Sequence, residues 1–330
     1  MTYFLSLLDK SPIEQGKSAS EALQASVRLA VRAEELGYHR FWVAEHHNMS
    51  NLASSAPETL IAYLLARTSK IRIGSGGVML QHYSAYKVAE TFNLLASLAP
   101  GRVDLGVGKA PGGFPLSTRA LQAAFDPERK PDFAVQLSDI NTYLAADPNY
   151  EGAQAMPFPP HAPERFLLGA SVESAVLAAE KGWELVFAGH LNGDPENLRK
   201  TFEAYERASD GKRPILALAA FAADSEEQAR ERVGNLRIVK VFLPNGQTVN
   251  VGGEEQAAEF ARQAGVTEYR IEEKVPSVLH GTAAQIRKEL DELHRRYGVK
   301  EFILDTPALA ASERLSSIEL LAKERLSLAA

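Results

Sequence analysis

A closed (β/α)8 barrel, an α/β fold that occupies the whole chain, is the fold class that the sequence predicts, and three observations lead to it. Short apolar runs alternate with amphipathic helical stretches from end to end. There are eight such runs, each followed by a helical stretch, and no block of strands alone interrupts the order. The length of 330 residues suits eight units of this kind. An open doubly wound sheet has the same local pattern, so the strand count and the length favour the barrel.

The predicted strands are short runs of apolar residues, taken in chain order. They are Tyr3–Leu8, Phe41–Ala44, Ile71–Ser75, Val103–Val107, Phe166–Leu168, Leu185–Ala188, Ile215–Phe221 and Phe302–Leu304.

The predicted helices follow these strands one by one. They are Glu21–Leu36, Pro57–Ala66, Ala85–Leu98, Leu116–Leu144, Ser174–Lys181, Asp194–Ser209, Glu226–Val233 and Ser312–Leu326. The first stops at Gly37, a residue common just after a helix, and the second begins with Pro57, which the first turn tolerates. The fourth is interrupted near Pro127 and Pro131, because proline breaks a helix.

One segment does not fit the alternation of strands and helices. Residues 235–279 follow the helix of the seventh strand and contain the turn-like groups Pro244-Asn245-Gly246 and Gly252-Gly253. Insertions of this size in a barrel are commonly lids or oligomer contacts, although a surface excursion without a role is an alternative. We therefore expect one domain, residues 1–330, with an insertion after strand seven.

Composition excludes several classes of function. The net charge of −6, from 36 Lys and Arg against 42 Asp and Glu, argues against nucleic acid and membrane surfaces as partners. The absence of Cys excludes disulfides, thiolate metal sites and a Cys nucleophile, so redox chemistry would need a bound cofactor. No stretch has the roughly 20 consecutive apolar residues of a membrane span, and we expect a cytoplasmic protein.

The first candidate site is the run Glu45-His46-His47 after the second predicted strand. The carboxyl ends of barrel strands face the active site, so polar residues there suit catalysis. Adjacent side chains in an extended segment point to opposite sides, so at most one histidine would face the barrel mouth while the other could hold the loop. Zinc is the alternative, but neighbouring residues ligate one ion poorly and no further ligand cluster accompanies them. We therefore predict no metal site.

Glycine-rich turns follow the third and fourth strands. Gly76 and Gly77 lie where adjacent glycines would let a planar ligand approach the main chain, although on this motif alone a tight βα turn is the favoured explanation. The stretch Gly106–Gly113 carries Lys109 and resembles a phosphate loop, but it lacks the Walker pattern. A glycine-rich turn with one cation can still hold a phosphate.

Two serines, Ser171 and Ser174, open the helix after the fifth strand. Backbone amides at a helix start, together with two hydroxyls, form an anion site, while ordinary capping would also explain Ser171. Four neighbouring strand ends would thus surround a ligand with a flat ring and a phosphate tail. Flavin mononucleotide (FMN) fits that description and would supply the missing redox chemistry.

At this point the chain resembles the bacterial luciferase-like flavin-dependent monooxygenase family, in its subgroup luciferase-like oxidoreductase group one. The stretches that carry the resemblance cover nearly the whole chain in order. They are GYHRFWVAEHHN, SSAPETLIAYLLARTSKIRIGSGGVML, YKVAETFNLLASLAPGRVDLGVGKAPGG, LGASVESAVLAAEKG and ERLSSIELLAKE.

The resemblance implies a luciferase-like TIM barrel that uses reduced FMN and O2 to oxygenate a small organic substrate through a flavin 4a-hydroperoxide. A separate NAD(P)H:flavin reductase would supply the reduced FMN. His46 matches the histidine that stabilises or protonates the oxygenated flavin. Gly76 and Gly77 match a cis peptide pair against the flavin ring. Lys109 stands where relatives have Arg, and Ser171 and Ser174 match the phosphate ligands.

The resemblance also leaves some assignments open. Leu8 and His82 would line the substrate pocket or anchor its loops, and Glu45 and His47 would support the site. Residues 235–279 correspond to a variable lid, and relatives are commonly homodimers. The alternative functions are a deazaflavin-dependent dehydrogenase of the same barrel superfamily and a non-catalytic flavin-binding protein. The sequence does not identify the substrate.

Overall fold

The strands of the computed structural model form one closed parallel barrel and one small antiparallel sheet. The structure describes residues 3–126, 128, 131–147, 149–189, 194–308 and 310–327. The strands are β1 (Phe4–Asp9), β2 (Arg40–Val43), β3 (Arg72–Ser75), β4 (Val78–Met79), β5 (Val103–Gly108), β6 (Glu164–Gly169), β7 (Glu184–Ala188), β8 (Ile215–Ala222), β9 (Ile238–Phe242), β10 (Thr248–Val251), β11 (Arg270–Lys274), β12 (Val278–Gly281) and β13 (Glu301–Asp305).

The predicted barrel is confirmed. Neighbouring strands pair in the order β1, β2, β3, β5, β6, β7, β8 and β13, and β13 pairs with β1 in turn. All of these pairs are parallel, so the eight strands share one direction and their carboxyl ends meet at one rim.

Most of the helices surround the barrel on the outside and agree in outline with the predicted ones. The helices are α1 (Ala19–Glu35), α2 (Pro57–Arg67), α3 (Ala85–Leu98), α4 (Pro115–Leu121), α5 (Phe133–Leu144), α6 (Val172–Glu180), α7 (Pro195–Ala208), α8 (Glu226–Val233), α9 (Glu254–Gln263), α10 (Ala283–Tyr297) and α11 (Ala311–Ser327). Of these, α9 packs on the small antiparallel sheet instead. The helical stretch predicted for residues 116–144 is two helices, α4 and α5. Pro131 lies in the gap between them, whereas Pro127 lies outside the described residues.

α10 has no counterpart among the predicted helices. It has a complete capping box, because the Thr282 hydroxyl accepts from the Gln285 amide and the Gln285 side chain accepts from the Thr282 amide. Gly298, in the left-handed conformation at φ +65°, ends it. The capping box and the terminal glycine are both visible in the sequence, so α10 could have been predicted from local rules.

The inserted segment 235–279 is more than the series of turns that its sequence suggests. β10, β9 and β11 form a three-stranded antiparallel sheet in that order, and α9 packs on it. A small apolar core holds the sheet, the helix and the loop after β5 together, and Phe114 of that loop belongs to it. The Gln263 side chain accepts from the Leu116 amide at 3.0 Å. The insertion therefore packs against a loop at the carboxyl rim of the barrel.

The barrel interior has an apolar middle and a charged amino-terminal end. Leu8, Trp42, Phe166 and Ile303 belong to the small apolar cluster that packs inside the strands. At the first residues of the strands, Arg40 contacts Glu301 at 3.0 Å and Asp104 at 2.9 Å, all of them buried.

Charge and burial act in opposite directions at this end of the barrel. Burial raises the pKa of Glu301, and the charge of Arg40 opposes that rise. The network lies at the end of the barrel opposite the carboxyl rim, where polar residues serve stability.

No helix among the described residues is both long enough and apolar enough to cross a bilayer.

Candidate active site at the carboxyl rim of the barrel

The loop after β2 carries the two histidines in different surroundings. His47 is buried, and its Nε2 lies 2.7 Å from a carboxylate oxygen of Glu45. His46 is partly exposed, and its backbone amide donates to the Ser54 carbonyl at 2.8 Å. The sequence predicted that the two rings would point to opposite sides, and they do have different environments. His47 is thus held in the loop by Glu45, whereas part of His46 remains accessible to solvent.

Glu45 is the centre of a buried polar cluster. Its carboxylate accepts from the Met79 amide at 3.0 Å and from the Tyr83 hydroxyl at 2.8 Å, in addition to its contact with His47. The side chain is fully buried, so these partners replace the water that a carboxylate would otherwise bind. Through Met79, which belongs to β4, Glu45 ties the histidine loop to the chain that follows Gly76 and Gly77.

The cluster changes the acidity of its neighbours. Burial, together with the charge of Glu45 and a hydrogen bond to it, raises the pKa of the Tyr83 hydroxyl. Burial also raises the pKa of Glu58 at the start of α2, and the charge of Glu45 adds to this effect. Tyr83 is therefore a neutral hydrogen-bond donor at neutral pH. The sequence analysis did not single out Tyr83, because nothing in the local pattern marks it.

The peptide bond between Gly76 and Gly77 is cis, as expected. The chain here has no room for side chains. A Cβ on Gly76 would lie 2.6 Å from Leu8 Cδ1, and one on Gly77 would lie 2.8 Å from the Gly106 carbonyl oxygen. The close approach of the β5 backbone therefore leaves no room for a side chain at Gly77, whereas at Gly76 the nearest obstacle is the flexible end of the Leu8 side chain.

The glycine-rich stretch after β5 lies beside the histidine loop. His47 donates its amide to the Gly112 carbonyl at 2.8 Å and forms a parallel bridge with Gly113. The Lys109 side chain is exposed. The backbone carbonyl of Lys109 accepts a hydrogen bond from the side-chain Nε2 of Gln81 at 2.8 Å. This loop therefore supports the histidine loop through its backbone and presents one cation at the rim.

Ser171 and Ser174 lie together at the start of α6. The Ser171 hydroxyl caps the helix by accepting from the Ser174 amide at 3.2 Å, and the two hydroxyl oxygens are also 3.2 Å apart. A Cβ on Gly169 would lie 2.6 Å from the Ser174 hydroxyl, so glycine is required for this packing. Hydrogen bonds from its own amide and from Ser171 lower the pKa of Glu173, so this helix start stabilises a negative charge.

Leu8 and His82 occupy interior positions. His82 is 3% exposed; its Nε2 lies 2.8 Å from the Pro111 carbonyl, and its Nδ1 lies 2.9 Å from the Gln122 amide nitrogen. The two ring nitrogens of His82 therefore contact the loop after β5 and the end of α4. Leu8 is buried in the barrel interior against Gly76 and lines a cavity at the ends of β1 and β13.

The pairing of the strands brings these candidates to one rim. β2 pairs with β3, β4 with β5, and β5 with β6, so the ends that carry His46, the glycine pair, Lys109 and Ser171 are neighbours. Among the residues that the structure describes, no group of three or more His, Cys, Asp or Glu side chains could hold a metal ion. The arrangement brings to one rim a serine-capped helix start, an exposed Lys109 and a partly exposed His46.

Sequence reasoning missed four charged residues near this rim. Asp9 and Lys10 lie at the end of β1, Asp305 ends β13, and Arg314 is in the first turns of α11. Each lies at or near a predicted strand or helix end, but their pairing across almost the full length of the chain leaves no local signal.

Comparison with known proteins identifies the family. The family model described as luciferase-like monooxygenase matches residues 1–300. The N-acetyl-S-alkylcysteine monooxygenase of Bacillus subtilis (strain 168) is 46% identical to the chain, and the match covers 96% of each protein.

Solved structures agree with this result. Apo-MsnO8 is 30% identical and superimposes with a TM-score of 0.78 over 98% of both chains. The oxygenating constituent of 3,6-diketocamphane monooxygenase from Pseudomonas putida, solved in complex with FMN, has a TM-score of 0.70 over 98% of both chains at 17% identity, a likeness in fold alone. The chain therefore belongs to the luciferase-like monooxygenase family of TIM-barrel enzymes.

Proposed function

We propose that the protein is an FMN-dependent monooxygenase that uses O2 to oxygenate a small thioether derivative of an amino acid. The observation that carries the proposal is the set of adjoining strand ends that bear a partly exposed His46, the Gly76-Gly77 pair and the serine-capped start of α6. The overall reaction would take substrate, O2 and FMNH2 to oxygenated substrate, FMN and water. Reduced FMN, when bound, supplies the electrons and the oxygen chemistry.

The start of α6 fits the phosphate of FMN. Ser171 and Ser174 supply hydroxyl donors, and the helix start already lowers the pKa of Glu173, so it favours a negative charge. Glu173 is exposed and can leave the helix start to an incoming phosphate. Lys109 would add a point charge where relatives have the two-pronged guanidinium of Arg, so the serines would carry most of the phosphate contact.

The glycine pair and His46 would serve the ring end of the cofactor. Gly76 and Gly77 expose backbone in place of side chains, which lets a flat ring lie against the chain. His46 would hold or donate a proton beside the ring, because an imidazole titrates near neutral pH. Glu45, His47 and Tyr83 would act as positioning residues that keep the His46 loop in register with β4.

The substrate class follows from the most informative relative. That protein is named for N-acetyl-S-alkylcysteine, a thioether with an amide and a carboxylate, and the match spans nearly the full length of both chains. We extend this class to the present chain. A separate NAD(P)H:flavin reductase would supply the reduced FMN, the protein would be a homodimer, and the insertion at 235–279 would cover the substrate.

A titration combined with isotope labelling tests the proposal. The protein should bind FMN, in its oxidised or reduced form, in preference to deazaflavin, as measured by fluorescence. With FMNH2, 18O2 and N-acetyl-S-methylcysteine, one 18O atom should enter the product detected by mass spectrometry. Tight binding of deazaflavin alone would contradict the proposal and favour the dehydrogenase, and FMN binding without any turnover of thioethers would favour a non-catalytic flavin-binding protein.

His46 has a matched control in the same chain. His46→Ala should reduce oxygenation by about 100-fold or more, in the range of a lost general acid or base, while FMN still binds. His161→Ala removes an exposed histidine outside the site and should leave the rate unchanged. Equal rates in the two variants would remove His46 from the proposed chemistry.

A further inference from the structure

A cavity of about 320 Å³ lies at the carboxyl ends of β1 and β13. Leu8, Asp9 and Lys10 line it from β1, and Asp305 lines it from β13. Arg314 of α11 and Ile238 of the insertion also line it. We call it the β1–β13 cavity. Since a water molecule occupies about 30 Å³ in the liquid, the cavity has room for a group of roughly ten heavy atoms.

The charged residues of the cavity are already paired. Lys10 Nζ lies 2.5 Å from a carboxylate oxygen of Asp305, and Arg314 forms an ion pair with Asp9. The cavity therefore contains two cations and two anions in balance. A further carboxylate or ammonium group would enter without a counter-charge, which is costly in a buried site.

One N–H donor of Arg314, at Nε, is nevertheless not used by the ion pair with Asp9. The Arg314 side chain is 3% exposed, and its Nε has no hydrogen-bond partner among the described residues. A buried donor without an acceptor costs free energy, so a ligand that offers a neutral acceptor oxygen would restore the missing bond. An amide carbonyl is such an acceptor, and it brings no charge.

The cavity adjoins the proposed reaction centre. Leu8 forms part of its wall and, on the barrel side, lies so close to Gly76 that a Cβ there would be 2.6 Å from Leu8 Cδ1. A substrate anchored in the cavity would therefore be one side chain away from the glycine pair. Ile238 places the insertion on the same wall, where it can cover a bound molecule.

We infer that the β1–β13 cavity binds the N-acyl amide of the substrate, with the Arg314 Nε–H donating to the amide carbonyl oxygen. This inference rests on the proposed function and adds to it a specificity-determining residue. It explains why a charge-balanced cavity would suit the neutral N-acetyl group of such a substrate, with the carboxylate left outside the cavity. The free amino acid would bring an ammonium group to the same position without a partner.

Binding measurements on the FMN-loaded protein test the inference without turnover. The probes are N-acetyl-S-methylcysteine and S-methylcysteine, titrated by calorimetry. The wild type should bind the acetylated probe at least tenfold more tightly. Arg314→Lys keeps a cation opposite Asp9 but loses the Nε–H, so we expect its preference for the acetylated probe to fall about tenfold. FMN affinity should stay unchanged.

A matched control and a second variant complete the experiment. Arg32→Lys makes the same substitution in another ion pair of α11, with Glu319, and should keep the wild-type preference. If Arg314→Lys does not fold, Ala308→Leu, which narrows the same cavity, should weaken binding of the acetylated probe.

The binding preference tests the inference about the cavity, and the 18O measurement tests the proposed function. A preference that is absent in the wild type, or unchanged in both cavity variants, would overturn the inference even if thioethers are oxygenated. A preference that depends on Arg314 would support the inference even if no 18O enters the product, an outcome that would contradict only the proposed function.

Discussion

Neighbouring residues at the carboxyl rim have different environments, which a few contacts determine. Glu45 accepts three hydrogen bonds in the interior, His47 is paired to it, and His46 remains partly exposed. Alternation along an extended chain explains why the two imidazoles differ in burial. It does not explain which of them is buried, because that depends on Tyr83 and Met79, which arrive from a later segment.

A residue in the helical shell gives a prediction for alkaline pH. Burial raises the pKa of Tyr205 to about 12, and the charge of Glu184 adds to the effect. The unfolded chain loses the same proton near pH 10, so the unfolded state is favoured as the pH rises above 10. The wild type should therefore lose up to about 1.4 kcal/mol per pH unit more than Tyr205→Phe between pH 10 and 12.

Urea unfolding at pH 8, 10 and 11 measures this difference. At pH 8 the variant should be less stable by about 1 kcal/mol, because the Tyr205 hydroxyl donates to the Trp183 carbonyl at 3.3 Å. That gap should close as the pH rises. Tyr63→Phe changes a tyrosine that is 45% exposed and should show no such trend. A constant gap for Tyr205→Phe would contradict the prediction.

At the scale of the element, the start of α6 combines capping with the proposed phosphate site. Ser171→Ala should destabilise the protein by about 1 kcal/mol, the usual cost of a lost N-cap, and should also lower FMN affinity. Urea unfolding and FMN titration measure the two effects separately.

α8 supplies the comparison for this prediction. Ser225 caps α8 with the same geometry, accepting from the Gln228 amide, but lies outside the proposed cofactor site. Ser225→Ala should show the same loss of stability with unchanged FMN affinity. Equal FMN affinities in the two variants would assign Ser171 to capping alone.

The insertion shows the limit of prediction at this scale. Its turns at Pro244-Asn245-Gly246 and Gly252-Gly253 are readable in the sequence. The sheet of β9, β10 and β11 was not predicted, although β9 and β10 form a local hairpin and Asn245-Gly246 is a hairpin turn signal. The pairing of β11 with β9 and the contribution of Phe114 to the apolar core come from distant segments and leave no such local signal. α10, by contrast, has a capping box and a terminal glycine and was predictable from local rules.

At the scale of the whole molecule, charges at the amino-terminal end help to close the barrel. Arg40 of β2 contacts Asp104 of β5 and Glu301 of β13, which lie far apart in sequence. Arg40→Met would leave two buried carboxylates with fewer partners, so we expect a loss of about 3–5 kcal/mol in the free energy of unfolding. Urea unfolding is the measurement.

Two further variants make this prediction specific. Arg40→Met combined with Glu301→Gln should recover part of the loss, because one of the buried charges is removed. Arg199→Ala breaks ion pairs on the exposed face of α7 and should have a much smaller effect. A loss for Arg40→Met no larger than that for Arg199→Ala would contradict the prediction.

The sequence by itself determined the barrel and named the residues of the candidate site, because strand and helix periodicity and the glycine, serine and histidine motifs are local properties. His46, the Gly76-Gly77 pair and Ser171 were identified in this way, and their strand ends are neighbours in the structure. Only the tertiary structure decided which side chains support them and where a substrate can fit. Tyr83 reaches Glu45, and Arg314 reaches Asp9, across segments that are distant in the chain. The first contact depends on the pairing of β2 with β3, and the second on the closure of the barrel, which brings the two ends of the chain together. No local pattern records either contact.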